Sequence, residues 1–565
     1  MRVPCLLRPF VCVLFALWAC VSVVSASSEA SGNPNPGLHY YYPVPALEKP
    51  QTIRADIAIY GGTPAGVSAA VAAARSGKSA VLAVFRRHVG GMTSGGLTTV
   101  DLGNPKTIGG LTAEFFNRMG KWSRFQPSEA EALFRLMLAE ANVPVYYEYR
   151  LDRVEKNGNR ITALVFENGA RIEAKAFIDA TYEGDLLARA GVSHTVGREG
   201  DQKYRESHNG YFIAKGHQFL FRVDPYRTPG DPTSGLLPGI RRKPPRPQGG
   251  GDKWVQAYNF RMNLTDAPQR VPFPKPEGYD PDTYALLLRY LTAQPDYPFG
   301  FDNRTGPVQL IRGDSNNGGP FSTDFVGGSF RWPKASYLER EKIFQAHVLY
   351  QQGLFYFLAN DPRVPAAVRA RVNAFGLNPA EFTETQHWPH ELYVREGRRM
   401  VSDYVMTEHN CLSETIPYDP VALASYTMDA HLTSRTVFDG AVVTEGNVQV
   451  RVPKPYPVSY RALVPKRAEA VNLLVPVALS SSHLAFGSIR MEPVFMMLGQ
   501  SAGLAAGLAI DDHKTVQDIS YAKLRQRLLA TGQKLVWTPP PKPQTAPSEA
   551  NAVSQSPTRH GRPGN

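Results

Sequence analysis

A chain of 565 residues with 43% hydrophobic and 20% charged residues can bury a large core spread over two or more structural units, and wholesale disorder is excluded. The formal net charge is +12, yet Lys and Arg are scattered, and the cluster Arg241, Arg242, Lys243 and Arg246 sits among prolines. A solvated basic surface is therefore expected, with no nucleic-acid partner.

An apolar run over residues 10–24 follows Arg2 and Arg8 and ends at Val24-Ser25-Ala26, a small-residue cleavage site. This predicts a signal peptide over residues 1–26 and a secreted or periplasmic protein. The run is short for a membrane anchor, so no stable membrane insertion is expected. A lipoprotein site at Cys20 is disfavoured by Trp18. No Arg-Arg pair precedes the run, which argues against export of the folded protein. Of the four cysteines, Cys5, Cys12 and Cys20 lie in this segment. Cys411 alone remains, so the mature chain has no intramolecular disulfide, no cysteine metal cluster and no dithiol chemistry.

Residues 27–50 read as a linker and 51–200 as the first part of a nucleotide-binding domain. Residues 55–84, ADIAIYGGTPAGVSAAVAAARSGKSAVLAV, run from apolar strand through glycine turn and Ala-rich helix to a second strand, a βαβ unit. Gly61 makes the tight turn, Gly66 allows helix and strand to pack, and the amides after Gly62 face a pyrophosphate. Thr63 stands at the middle glycine of the fingerprint, and Val84 and Phe85 stand where a ribose-binding carboxylate is expected. Glycine loops follow over 90–110, then helices over 111–120 and 128–141. Asn157-Gly158 and Asn168-Gly169 predict a three-stranded meander within 145–181, with a return strand over 176–180. Asp179, Glu183 and Asp185 are read as cap and turn residues.

Residues 201–390, rich in Pro, Gly and aromatics such as Trp254, Tyr258 and Phe260, read as an inserted substrate-facing α+β domain with helices over 337–359 and 366–375. N-glycosylation sequons begin at Asn263 and Asn303. Residues 391–515 complete the first domain. Within them, 480–510 reads as a loop from Ser488 feeding a buried helix after Pro493. Its start suits an electron-rich oxygen, and its run of Gly and Ala implies close approach of another group. A short helix over 524–529 and a strand belong to 516–538, and 539–565 to a disordered Pro-rich tail.

Several motifs resemble the secreted FAD-dependent oxidoreductases of the glutathione-reductase-like superfamily, in particular a group called xanthan-lyase-like. They are GGTPAG (61–66), HVGGMTSGGL (88–97), IGG (108–110), FIDATYEGDLLARAG (177–191), REGRRMVSDYVMT (395–407), PVSYRALVPK (457–466) and the closing stretch to residue 509. The resemblance spans about 55–510. It implies a Rossmann-like FAD-binding α/β fold, with Gly61, Gly62, Thr63 and Gly66 at the pyrophosphate. It also implies Gly90, Gly91 and Met92 along the path to the flavin, and Ala180 and Thr181 packed on the dinucleotide. Ser488, Ile489, Arg490, Met491 and Glu492 are implied to border the isoalloxazine ring. Where the family often carries a ribose-binding Glu stands Val84, so Arg87 or a backbone group is the expected substitute.

Flavin supplies hydride chemistry and the protein supplies a base and positive charge. Arg490 is expected to provide charge beside the flavin, and His483, His431 or Tyr460 the proton handling. Arg398, Arg399 and Arg461 are candidates for gripping an anionic or hydroxyl-rich substrate, or else pair with Glu396 or Asp403. His387 and His390 lack a third ligand by spacing, so no metal is expected. The reading is an exported enzyme passing hydride between a small organic molecule and FAD, the final electron acceptor being open. The alternative is a non-catalytic surface or polysaccharide-binding protein retaining the nucleotide fold. Nothing in the motifs supports a lyase.

Overall fold

The computed structural model describes residue 35 and residues 37–242, 247–294, 296–301 and 306–539. The expected signal peptide, residues 27–34 and 36 of the linker, the sequon at 303–305, Lys243, Arg246 and the tail from 540 lie outside the described residues.

Strand β1 (Thr52–Tyr60) leads into helix α1 (Pro64–Arg75), which returns to β2 (Ala80–Val84). β1 and β2 run parallel, with Ile57 opposite Ala80. The last four residues of β1 and all of β2 are buried, as parallel strands covered on both faces require. Thr63 ends the glycine turn by accepting a hydrogen bond from the Gly66 amide, and Pro64 stands where its missing N–H costs nothing.

The remaining sheet strands are β3 (Val145–Tyr147), β4 (Leu151–Asn157), β5 (Arg160–Phe166) and β6 (Arg171–Asp179). The order across the sheet is β3-β2-β1-β6-β5-β4, with Leu473–Leu474 joining beside the far end of β6. β6 does two jobs. Its first residues pair antiparallel with β5 to close the meander, and its whole length runs parallel to β1. The expected meander is therefore β4-β5-β6, and the return strand begins at Arg171, five residues earlier than its apolar end suggested. Val145–Tyr147 is no part of it but a parallel edge strand beside β2.

The closing helix Glu492–Asp511 is buried along nearly its whole length. By length and composition it could cross a membrane, but it is a core helix here. Its small residues have a structural explanation. A Cβ on Gly499 would overlap the Ala65 carbonyl, and one on Gly503 the Ala69 carbonyl, so the group that approaches closely is the backbone of α1. Two other expectations change. Ser488 and Ile489 end a short helix, His483–Ile489, instead of forming a loop. The last helix is Tyr521–Ala530, and residues 531–539 hold no strand.

Within the region expected to be an insert, Tyr337–Asn360 and Ala366–Asn373 form the helical pair, and Ser336 with Glu339 closes a capping box on the first. A two-residue antiparallel ladder joins Leu264–Thr265 to Gly376–Leu377 in this region, and longer ladders follow it. Pro420–Ala424 pairs Tyr456–Ser459, Met428–Ala430 pairs Val448–Val450, and Ser434–Phe438 pairs Ala441–Glu445. These nested ladders make one long hairpin arm turning at Asp439-Gly440; Asp429 lies on its middle ladder, and His431 directly follows that strand.

Candidate active site

The glycine corner is assembled by close backbone contact. Gly61 has φ of 115°, and a Cβ there would stand 2.7 Å from the Ala180 carbonyl carbon. The Thr63 hydroxyl donates to the Ala180 carbonyl (2.7 Å), tying the helix start to the end of β6. The Gly90 amide donates to the Gly62 carbonyl (2.6 Å), and Gly91 packs on Tyr182 and Pro64. Thr181 bonds Asp179 and caps the Gly184 turn.

From this corner the contacts run on to the closing helix. The Met92 amide donates to the Tyr182 hydroxyl (3.0 Å). Tyr182 in turn donates to Glu492 (2.8 Å), which also accepts from Thr93 (3.1 Å). Burial pushes the Glu492 carboxyl up to about 8, against the lowering effect of these two hydrogen bonds. Hydrogen bonds thus link the glycine corner to Glu492 at the start of the closing helix.

The residues at this corner fit a dinucleotide. A helix N-terminus without side-chain bulk meets a guanidinium, Arg86, whose Nε and Nη1 are buried without hydrogen-bond partners, and a carboxyl, Glu183, with Oε2 equally unpaired. The cavity at the corner measures about 20 Å³, lined by Gly62, Arg86, Tyr182, Glu183 and Glu391 among others. Holding a dinucleotide therefore requires side chains such as Tyr182 to turn aside, while the backbone cradle is already shaped.

Two of the residues expected to act on substrate sit elsewhere. Arg399 is fully buried, and it pairs with Glu199 (2.6 Å) and Glu396. His483 has Nδ1 2.8 Å from Glu396, and burial followed by Arg399 and Arg198 lowers its pKa to about 3. Neither lines a described cavity, and both belong to an ion-pair network beneath the site. Arg398 pairs with Asp185 and Arg461 with Asp419, while the Tyr460 hydroxyl donates to the Val516 carbonyl. Arg87 is turned outward, paired with Glu148 and lying over Tyr42. Arg86 is the buried one. Ser488 bonds Tyr456 and the Tyr426 carbonyl, and Ile489 is core.

Arg490 and His431 do come together. Arg490 donates to Asp429 Oδ2 (2.9 Å) and to the Tyr393 hydroxyl (3.0 Å). His431 has Nε2 3.4 Å from the same Asp429 oxygen and Nδ1 2.7 Å from Asp324. Asp324 also pairs with Arg395 (3.0 Å). Burial raises Asp429, but the hydrogen bond and charge of His431 with the charge of Arg490 outweigh it and hold the carboxyl at about 2. Asp429 opens on a cavity of about 820 Å³, with Tyr426, Asn104, Gln449 and Arg451 on its walls. Sequence spacing could not join Asp324 or the Tyr393–Arg395 segment to Asp429 and His431, because the three lie far apart along the chain.

His390 also has a partner that spacing missed. Its ring stacks on His88 at 3.7 Å and 14°, and His88 lies 3.0 Å from Glu131. The three side chains approach as metal ligands do, but stacked imidazoles point their lone pairs along parallel planes, and one ion cannot lie in both.

A parallel sheet with a glycine corner at its switch, a meander on the return strand and a second helix start closing from the C-terminal segment define a dinucleotide-binding flavoprotein. The sequence matches the family described as FAD dependent oxidoreductase over residues 56–528, and the chain belongs to that family. It is an FAD-dependent oxidoreductase with FAD as its cofactor. No curated protein matches it. Among solved structures, THI4 of Thermovibrio ammonificans is 21% identical, covering 26% of this chain and 66% of its own, with a TM-score of 0.22. A flavin-containing monooxygenase from Stenotrophomonas maltophilia is 22% identical, covering 26% and 43%, with a TM-score of 0.19. Thioredoxin reductase from Streptococcus pyogenes is 24% identical, covering 27% and 40%, with a TM-score of 0.17. The chain spans less than two thirds of each.

Proposed function

We propose that the protein is an exported enzyme that oxidises a small, polar organic molecule, the hydride passing to FAD, in the cavity above Asp429. The observation that carries this is that Asp429, on the wall of that cavity, is backed by buried Arg490 and His431, with Asp324 behind the His431 ring. Arg490 stands two residues before Glu492, which is joined to the glycine corner through Tyr182. The polar walls and the volume of about 820 Å³ suit a hydrated molecule of modest size.

When bound, FAD supplies the two-electron acceptor. The chain supplies the rest. The His431 ring bridges Asp324 at Nδ1 and Asp429 at Nε2, so it relays a proton between the buried carboxylate and the one that faces the cavity. Arg490 keeps Asp429 ionised and contributes positive charge close to the start of the closing helix, where the helix dipole adds to it.

Export is supported by the charge and apolar pattern of residues 1–26, with flavin acquired afterwards. The test is to purify the mature protein and add sugars, amines, hydroxy acids or steroids without oxygen. A yellow protein whose colour bleaches with one class and returns in air is the expected result. A colourless protein that cannot be reconstituted with FAD overturns the reading, and flavin-loaded enzyme in the cytoplasm overturns its export.

A further inference from the structure

The adenosine end of the site poses a problem of chemistry. In this fold a carboxylate at the end of the second strand takes the ribose hydroxyls. Here β2 ends at Val84, and Phe85 follows, buried and packed against Tyr40 and Tyr41. Neither side chain accepts a hydrogen bond. The next residue, Arg86, is buried and points inward, while Arg87 is exposed and bonded to Glu148.

We propose that Glu391, about three hundred residues away in sequence, is the carboxylate that takes the ribose hydroxyls, and that Arg86 meets the adjoining phosphate. The inference rests on the flavoenzyme reading. Both side chains line the cavity that holds Gly61, Gly62 and Phe85. They are held together by the backbone, since Arg86 Nη2 donates to the carbonyl of His390, the residue before Glu391. They are nevertheless poorly satisfied by each other. Glu391 Oε2 lies 3.5 Å from Arg86 Nε, and that Nε and Nη1 have no hydrogen-bond partner. Glu391 Oε1 receives only a long bond from the Tyr40 hydroxyl, 3.4 Å.

A structural ion pair in this protein closes tightly, as Arg340 does on Asp185 at 2.8 Å. A buried guanidinium and carboxylate left apart, each with free bonding capacity toward one cavity, match a ligand that brings both an anionic oxygen and hydroxyl donors. Ribose joined to pyrophosphate brings both within a single sugar–phosphate unit. The fold also makes room for the carboxylate, since a Cβ on Gly95 would overlap that of Glu391.

The test measures flavin affinity by fluorescence quenching on the full mature chain, with far-UV circular dichroism and thermal unfolding as controls. Glu391→Gln is expected to weaken FAD at least about tenfold, the loss of a charge-assisted hydrogen bond, with the flavin-free fold intact. FMN, which has no adenosine, is expected to bind wild type and variant alike. Adding Phe85→Glu to Glu391→Gln, which returns a carboxylate to the strand end, is expected to recover part of the FAD affinity. Unchanged FAD affinity, or equal loss of FAD and FMN, overturns the assignment. Wild-type protein that binds neither flavin overturns the flavoenzyme reading itself, a separate and recognisable result.

Discussion

At the scale of single residues, His431 and Glu492 differ in what surrounds the same kind of polar group. His431 is held between two carboxylates beside a cavity, so its proton has somewhere to go. His431→Asn keeps the ring's polar neighbours roughly in place but removes the proton relay. Substrate-driven flavin reduction is expected to slow by about a hundredfold or more, with flavin content unchanged, in stopped-flow absorbance. Loss of flavin along with rate would instead make His431 structural. Glu492 is surrounded by core and bonded by hydroxyls, so its proton is retained up to about pH 8. A carboxyl raised from 4.5 favours the folded state fully at low pH, and that contribution is lost as pH rises through about 8. Glu492→Gln carries no such cost. Its stability relative to wild type is therefore expected to improve between pH 5 and pH 9, by on the order of 4 kcal/mol, in urea unfolding. A gap independent of pH would show that the carboxyl is not buried as described.

At the scale of elements, the pairing of α1 with the closing helix decides whether the glycine corner exists. Three glycines lie four residues apart on that helix, and they are not equivalent. A Cβ on Gly499 collides with the α1 backbone, whereas one on Gly507 meets only side-chain atoms of Ser76 and Lys78, at 3.2 Å and beyond. Gly499→Ala is expected to cost about 3 kcal/mol or more and to weaken flavin retention, because the helices must part. Gly507→Ala is expected to fall within about 1 kcal/mol of wild type, helix propensity offsetting the minor crowding. Equal effects at the two positions would refute the packing. The glycine turn, α1, β2 and the meander turns were legible in the sequence because each is set by contiguous residues with strong local preferences. The edge strand Val145–Tyr147 was not, since a three-residue run carries no periodicity and only β2 gives it a partner. The small-residue run in the closing helix was legible as a demand for close approach, but a sequence does not say whether ligand or helix makes that approach.

At the scale of the whole molecule, buried charge joins segments far apart in sequence. Arg198 pairs with Asp252 and Glu445, Arg399 with Glu199 and Glu396, and His483 with Glu396. The network fixes residues 198–199, 252, 396–399, 445 and 483 around one point. Removing one partner leaves the others buried and uncompensated, so Glu396→Gln is expected to lower global stability by about 3–5 kcal/mol in denaturant unfolding. A change under about 1 kcal/mol would show that the network is solvated. FAD at a hundred times its dissociation constant is expected to stabilise the protein by about 2.7 kcal/mol, read as a rise in melting temperature. The sequence by itself determined the nucleotide-binding class, the glycine corner and the absence of a ribose carboxylate on β2, because these depend on residue identity along short stretches. Tertiary structure alone decided that Arg399 and His483 are sealed in ion pairs, that His431 meets Asp324, and that Glu391 lies beside Arg86. Desolvation and charge pairing act through space, and a chain that folds back on itself sets those distances independently of the order in which its residues are written.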